Sequence, residues 1–262
     1  MEGDVAGGII LAVPPKDAST TDDDEDKDGI KDSEEGSAVV RSYGAAPAMR
    51  IGAAGRDIVI GAVPATGNGY GLIIDGTVTG SGLYTGVEGN GLLVGGQGGA
   101  VTIAGGIGIS GSVNATANGA SATALRLGAG ASTPVLHVTG KVEATGTSKD
   151  GTTATAVRVD AGASLPTIRN AGTIKATTGE AGSAVAIIDR SGGLTLIENS
   201  GTISATGAKA DSGRNIAIDL TANTSGVTVK QTQVASTATA PSIVGNVLLG
   251  SGNDVFEIAD GA

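Results

Sequence analysis

The sequence predicts an all-β fold: a right-handed single-stranded parallel β-helix, a β-solenoid with about 30 residues and three short strands per coil. Two observations support this prediction, a regular repeat and a composition rich in small residues. The repeat is clearest at residues 154–177, where the opening ATAVRV recurs as ATALRL, AVAIID and NIAIDL at Ala122, Ala184 and Asn215. Successive offsets of 32, 30 and 31 residues indicate one structural unit copied along the chain.

The composition suits a narrow core. The 262 residues include 46 Gly but only one Phe, three Tyr and no Trp, so bulky side chains cannot fill a wide globular interior. In a parallel β-helix, each coil stacks small aliphatic residues on those of the coil below, and Ala, Val, Ile and Leu suffice. Gly and Asn serve the corners, where the backbone adopts left-handed or strained conformations.

Charge and cysteine content narrow the possible partners and compartments. A net charge of −10 with 16 Lys and Arg argues against nucleic acid or an anionic membrane as partner, since both require a basic surface. The absence of Cys suits a secreted chain that crosses an envelope unfolded. The five-residue apolar run at 9–13 is too short for a signal peptide or a membrane span, so we expect a signal to have been removed upstream.

We predict a single elongated β-helix over 1–262. Its predicted parts are a first coil or cap (1–18), an acidic insertion (19–36), irregular early coils (37–121), regular coils (122–246) and a terminal strand leading to an absent C-terminal region (247–262).

The early coils are assigned by similarity to the regular ones. The segments at 7–18 and 58–67 read as matching short apolar strands, each stopped by Pro. APAMRI at Ala46, GYGLII at Gly69 and GNGLLV at Gly89 are all assigned to the coil position of ATALRL.

In the regular coils, alternating residues define inward-facing columns. Two columns are predicted in the third strand of each coil, one of larger and one of smaller residues: Val113, Val142, Ile174 and Ile203, and Ala115, Ala144, Ala176 and Ala205. Asn170 and Asn199 occupy equivalent corners one coil apart, where stacked amides can form a hydrogen-bonded ladder.

The repeated NAGTIKAT and NSGTISAT units, together with VLLGSGNDVFEIADGA at 247–262, resemble the passenger region of a Gram-negative autotransporter. The resemblance covers roughly residues 46–262. It implies a right-handed parallel β-helix exported across the outer membrane to the bacterial cell surface, with the parent protein anchored by an outer-membrane β-barrel that is not in this sequence. Such passengers include adhesins, enzymes and stalks, so the resemblance leaves the activity open.

The acidic insertion contains a candidate calcium loop, DEDKDGIKDSEE at 24–35. Carboxylates at loop positions 1, 3, 5, 9 and 12, with Gly29 at position 6, match the twelve-residue calcium pattern. The predicted ligands are Asp24, Asp26, Asp28, the carbonyl of Ile30, Asp32 and Glu35. The loop also resembles those of thrombospondin type 3-like repeats, which bind Ca²⁺ without flanking helices. The alternative interpretation is a solvated acidic linker.

Three other features are weaker candidates for chemistry. The stretch GSGNDVF at 250–256 resembles one calcium-roll nonapeptide, but a single copy favours a polar turn before a strand in which Phe256 caps the core. His137, the only histidine, has no evident catalytic partners and is interpreted as a surface residue.

A basic stripe is the third feature. Arg50, Arg126 and Arg158 share a coil position, with Lys141 and Lys175 expected nearby. The stripe can be interpreted either as a solvated face or as a sugar-binding or lyase site. The scarcity of aromatic residues weighs against a carbohydrate cleft.

These observations predict a secreted or cell-surface structural or adhesive β-helix that binds Ca²⁺ and has no catalytic residues. Its expected partner is a glycan or protein of a cell surface or matrix, or another copy of itself. Two alternatives are a polysaccharide-active β-helix enzyme and a self-assembling stalk or surface-layer protein. A concave groove in which three or more charged side chains converge would favour the enzyme.

Overall fold

The structure is a computed structural model that describes residues 1–14, 21–64 and 69–259. Parts of four predicted segments lie outside the described residues. They are the end of the first coil, the first two residues of the acidic insertion, the end of the 58–67 match and the last three residues of the terminal strand.

The chain forms a β-solenoid of stacked parallel strands with a repeat of roughly 32 residues, which confirms the predicted fold class. All pairings between the strands of the sheets are parallel, as in Val113 with Val142 and Val142 with Ile174. Each coil contributes a strand to each of three long sheets, here called sheets 1, 2 and 3, and the first three coils add a strand to a short sheet 4. No helix that could span a membrane occurs among the described residues.

The strands of each sheet follow in stacking order. Sheet 1 contains Ile9–Leu11, Leu72–Ile74, Ile107–Ile109, Val135–Val138, Thr167–Asn170, Leu196–Asn199, Thr228–Gln231 and Val255–Ile258. Sheet 2 contains Val39–Tyr43, Thr77–Gly82, Ser112–Ala117, Lys141–Thr145, Thr173–Thr177, Thr202–Thr206 and Ser242–Val244. Sheet 3 contains Met49–Ile51, Gly89–Val94, Ala122–Leu127, Thr153–Val159, Ser183–Asp189, Asn215–Asp219 and Asn246–Leu248. Sheet 4 contains Ile58–Ile60, Val101–Ile103 and Ala131–Ser132.

Both predicted inward columns are present in sheet 2. Val113, Val142, Ile174 and Ile203 are paired in register and fully buried, and the four alanines two residues further on form the adjacent buried column. Such stacking buries small aliphatic side chains against aliphatic neighbours of similar size, so the narrow core needs no aromatic residues.

A column of glycines turns the chain from sheet 1 into sheet 2. A Cβ on Gly140 would lie 2.1 Å from the carbonyl oxygen of Gly111, and a Cβ on Gly172 would lie 2.1 Å from that of Gly140. Neither Gly140 nor Gly172 has a positive φ. These glycines are therefore required because successive coils approach closely, rather than because the turn is left-handed.

The predicted amide ladder runs through the interior next to these glycines. Asn170 Nδ2 donates to Asn199 Oδ1 at 2.8 Å, and Asn199 Nδ2 donates to Gln231 Oε1 at 3.1 Å. Asn199 is fully buried and also donates to the carbonyl oxygens of Gly201 and Ser242. Gln231 extends the ladder by one rung that the sequence comparison did not identify.

Two assignments in the early coils are wrong. GYGLII at Gly69 does not share the position of ATALRL in sheet 3, since its Leu72–Ile74 strand pairs with Ile107–Ile109 in sheet 1. The similar segments at 7–18 and 58–67 are not equivalent either, because their strands lie in sheets 1 and 4. APAMRI and GNGLLV do lie in sheet 3, as predicted.

The physical reason is the fourth strand. Early coils place Ile58–Ile60 and Val101–Ile103 in sheet 4 before re-entering sheet 1, so they contain one more apolar run than the regular coils. The sequence of a short apolar triplet does not indicate which sheet the strand joins. A period taken from three-strand coils therefore assigns them to the wrong column.

Candidate functional site

The acidic loop lies between the first strands of sheets 1 and 2 and contains no strand among its described residues. Its carboxylates converge at one point, where oxygens of Asp24, Asp26 and Asp28 all lie within 4.8 Å of one another. Three like charges at this distance repel each other, and a cation between them would remove the repulsion.

Backbone amides hold these carboxylates in place. Asp24 accepts hydrogen bonds from the amides of Asp28 at 3.1 Å and Gly29 at 3.0 Å. Asp28 Oδ1 in turn accepts one from the amide of Ile30 at 2.8 Å. The chain makes this tight turn with a φ of 91° at Gly29 and 59° at Lys27, a left-handed conformation that glycine adopts without strain.

Two further predicted ligands have carboxylate oxygens without partners. Asp32 is 9% exposed, and its buried Oδ2 makes no hydrogen bond among the described residues. The buried Oε2 of the half-exposed Glu35 makes none there either. Desolvation and the nearby carboxylates of Asp26, Asp28, Asp32 and Asp24 raise the pKa of Glu35 above its usual value.

The structure thus brings together three of the six predicted ligands. Asp32 and Glu35 lie outside the mutually close set, although Asp32 Oδ1 accepts a 3.4 Å contact from the amide of Glu25 at the same turn. The amide of Ile30 donates to Asp28, and the residue is 48% exposed. An oxygen-only donor set of this kind suits a hard divalent cation such as Ca²⁺.

His137 lies on the outer face of sheet 1, in register with Arg169 and Glu198 as predicted. It is half-buried, and its Nδ1 lies 2.8 Å from the hydroxyl of Tyr70, which the sequence did not indicate as a partner. Desolvation and the positive charge of Arg169 lower the pKa of His137. His137 and Tyr70 line a cavity of about 100 Å³ together with Ser110 and Asp75. The hydroxyl of Ser110 donates a hydrogen bond to Asp75 rather than to His137, so these residues do not form a catalytic triad.

The outer face of sheet 3 carries an arginine cluster. Arg126 and Arg158 are adjacent in register, and both donate from Nε to Asp160, each at 2.6 Å. Burial opposes ionisation of Asp160, but the hydrogen bonds from Arg158 and Arg126 outweigh it and lower its pKa. Arg50 shares this column but is separated by Leu93, so the predicted stripe is interrupted. Lys141 and Lys175 are in sheet 2 and do not join it.

A groove of about 330 Å³ opens beside this cluster. It is lined by Arg158, Arg190 and Asp219, and by Val185 and Ile188 at its floor. The repeat alone did not predict it, because Arg190 lies past the end of its strand, whereas Arg158 and Asp219 lie within theirs. The signal available in the sequence was the recurrence of charged residues near the ends of these strands, at Arg158, Arg190 and Asp219.

The GSGNDVF segment forms a turn rather than a cluster of converging cation ligands. Asp254 Oδ1 accepts a hydrogen bond from the amide of Val227 at 3.0 Å, which links the last coil to the previous one. Phe256 pairs with Val229 at the end of a core column and is 43% exposed. These contacts agree with a structural turn.

Comparisons with known proteins give no match: no family model, no curated protein and no solved structure is similar to this chain.

Proposed function

We propose that the protein is a secreted or cell-surface β-solenoid with a structural or adhesive role, and that its acidic loop binds Ca²⁺. The observation that carries the calcium assignment is the convergence of Asp24, Asp26 and Asp28. In the same loop, a buried carboxylate oxygen of Asp32 has no partner among the described residues. The cation would be held by these residues with Glu35 and the Ile30 carbonyl.

The adhesive role rests on the shape and composition of the chain. A stack of parallel coils presents long columns of side chains on its outer faces, so affinity can come from an extended surface. The passenger-like repeats, the lack of cysteine and the net charge of −10 support an extracellular location for this surface. The expected partners are a cell-surface or matrix glycan or protein, or a second copy of the chain.

Calorimetric titration tests the calcium site. We expect one Ca²⁺ to bind with a dissociation constant on the order of 10⁻⁴ to 10⁻³ M, the range of extracellular modules, and Mg²⁺ to bind more weakly because it demands a tight octahedral shell. Glu35→Gln should weaken Ca²⁺ binding at least tenfold, since a bidentate ligand is lost. Glu34→Gln is the matched control, because its exposed side chain lies outside the predicted set. Equal weakening by both variants, or no binding by the unaltered protein, would contradict the assignment.

Antibody labelling tests the location. Antibodies raised against the folded solenoid should label intact cells of the source organism as strongly as permeabilised cells. Labelling that requires permeabilisation would contradict a surface role.

A polysaccharide-active enzyme is a second candidate, favoured by the groove in sheet 3. Arg158, Arg190 and Asp219 line it, which meets the condition of three charged side chains converging along one sheet. Incubation with uronate polymers, followed by size analysis of the products, separates the candidates. Chain shortening that Arg158→Gln abolishes would establish the enzyme, whereas intact polymer supports the structural role.

A further inference from the structure

The groove on sheet 3 has the form of a ligand site. Its lining comes from four successive strands, those of Thr123, Thr155, Val185 and Ile216, so it extends about 14 Å along the solenoid axis at the usual spacing between strands. Its volume of about 330 Å³ falls in the range of small-molecule sites.

The floor of the groove is apolar although it faces outward. Val185 and Ile188 lie on the opposite side of their strand from the core residue Ile187, yet they are only 7% and 8% exposed. Outward-facing aliphatic residues of a flat sheet would be accessible, so these two are sheltered by the walls of the groove.

Two guanidinium groups provide anion recognition. Arg158 uses Nε to bind Asp160, and its terminal nitrogens make no hydrogen bond with a described residue. The carboxylate of Asp160 therefore fixes the orientation of the guanidinium and leaves its two terminal nitrogens, with four N–H groups, for a ligand. The exposed side chain of Arg190 also makes no hydrogen bond or ion pair with a described residue. The N–H groups of a planar guanidinium can donate a pair of parallel hydrogen bonds to the two oxygens of a carboxylate.

The lining also includes the carboxylate of Asp219, whose Oδ1 accepts hydrogen bonds from the amide and the hydroxyl of Thr221. Hydroxyl groups come from Ser121, Thr123, Thr153, Thr155 and Ser183. Each hydroxyl both donates and accepts hydrogen bonds, as sugar hydroxyls do. A peptide fits this surface less well, because the backbone groups of sheet 3 are used in pairing between coils and cannot receive peptide amides.

We infer that the groove binds a short carboxylate-bearing saccharide, with Arg158 and Arg190 on the carboxylates and the sugar rings over Val185 and Ile188. This inference rests on the proposed adhesive role and specifies the class of ligand that the surface would bind. Asp160 is a positioning residue that orients Arg158.

Calorimetry with trigalacturonic acid in calcium-saturated buffer tests the inference. We expect saturable binding that Arg158→Gln and Arg190→Gln each weaken at least tenfold. Arg169→Gln, an exposed arginine on the outer face of sheet 1, is the matched control and should leave binding unchanged. The methyl-esterified trimer, which has the same shape without charge, should bind at least tenfold more weakly.

Several results would overturn the inference: no binding of trigalacturonic acid, an equal loss in Arg169→Gln, or equal binding of triglutamate, which would indicate a site for acidic peptides. Because the exposed side chain of Arg190 makes no hydrogen bond or ion pair with a described residue, Arg190→Gln is expected to leave the fold intact. Glu35→Gln separates the two proposals, because it should lose calcium binding and keep saccharide binding.

Discussion

The regular coils and the acidic loop are held together in opposite ways. In the coils, each residue is fixed by its counterpart one coil away, as Val142 is by Val113 and Ile174. In the loop, the contacts are among near neighbours, as Asp24 with Asp28 and Gly29, and they gather like charges. The coil is therefore stabilised by repetition, whereas the loop gathers like charges whose repulsion the proposed Ca²⁺ would offset.

This contrast explains how much the sequence could predict. The regular coils were correctly placed because a repeat of about thirty residues puts equivalent side chains in one column, and the buried Asn170 and Asn199 follow from it. The three loop aspartates lie close together, which the sequence could indicate because their spacing is local. Ile58–Ile60 was misassigned because an added strand breaks the period.

The groove on sheet 3 could not be predicted from the sequence for a different reason. Arg158 and Asp219 share a column but Arg190 lies past the end of its strand, so only the turn brings it to the same face. His137 and Tyr70 likewise come from coil positions that are not equivalent. Such pairs depend on where each turn directs the chain, and the repeat does not encode that.

The largest effect on stability is expected from the amide ladder. Asn199→Ala leaves Asn170 and Gln231, together with two carbonyl oxygens, without their partner in a buried site. We expect a loss of at least about 2 kcal/mol in the free energy of unfolding, measured by urea denaturation. The exposed Asn253→Ala should change it by less than about 0.5 kcal/mol. Similar losses in both would show that the ladder contributes no special stability.

A smaller effect is expected from the glycine column. Gly140→Ala places a methyl group 2.1 Å from a carbonyl oxygen of the coil below and should cost about 1–3 kcal/mol as the coils separate. Gly36→Ala, in the acidic loop, meets no atom within 4 Å and should be neutral. Thermal unfolding of the two variants compares the same substitution in both regions. Equal melting temperatures would contradict close coil packing.

The smallest effect concerns pH. Because the folded pKa of His137 is below its usual 6.5, the unfolded chain binds a proton first as pH falls through that value, and stability decreases until the folded pKa is passed. His137→Gln should remove this part of the pH dependence. The pKa is measured by NMR titration of the single histidine, and a value at or above 6.5 would contradict the expected desolvation.

Hydrogen exchange with and without calcium tests the central contrast most directly. On addition of millimolar Ca²⁺, we expect amide protection to rise in residues 21–36 and to stay unchanged in sheets 1, 2 and 3, since the coils are already fixed by their own register. Unchanged exchange in 21–36, or protection that increases throughout the sheets, would contradict a calcium-dependent loop on a calcium-independent solenoid.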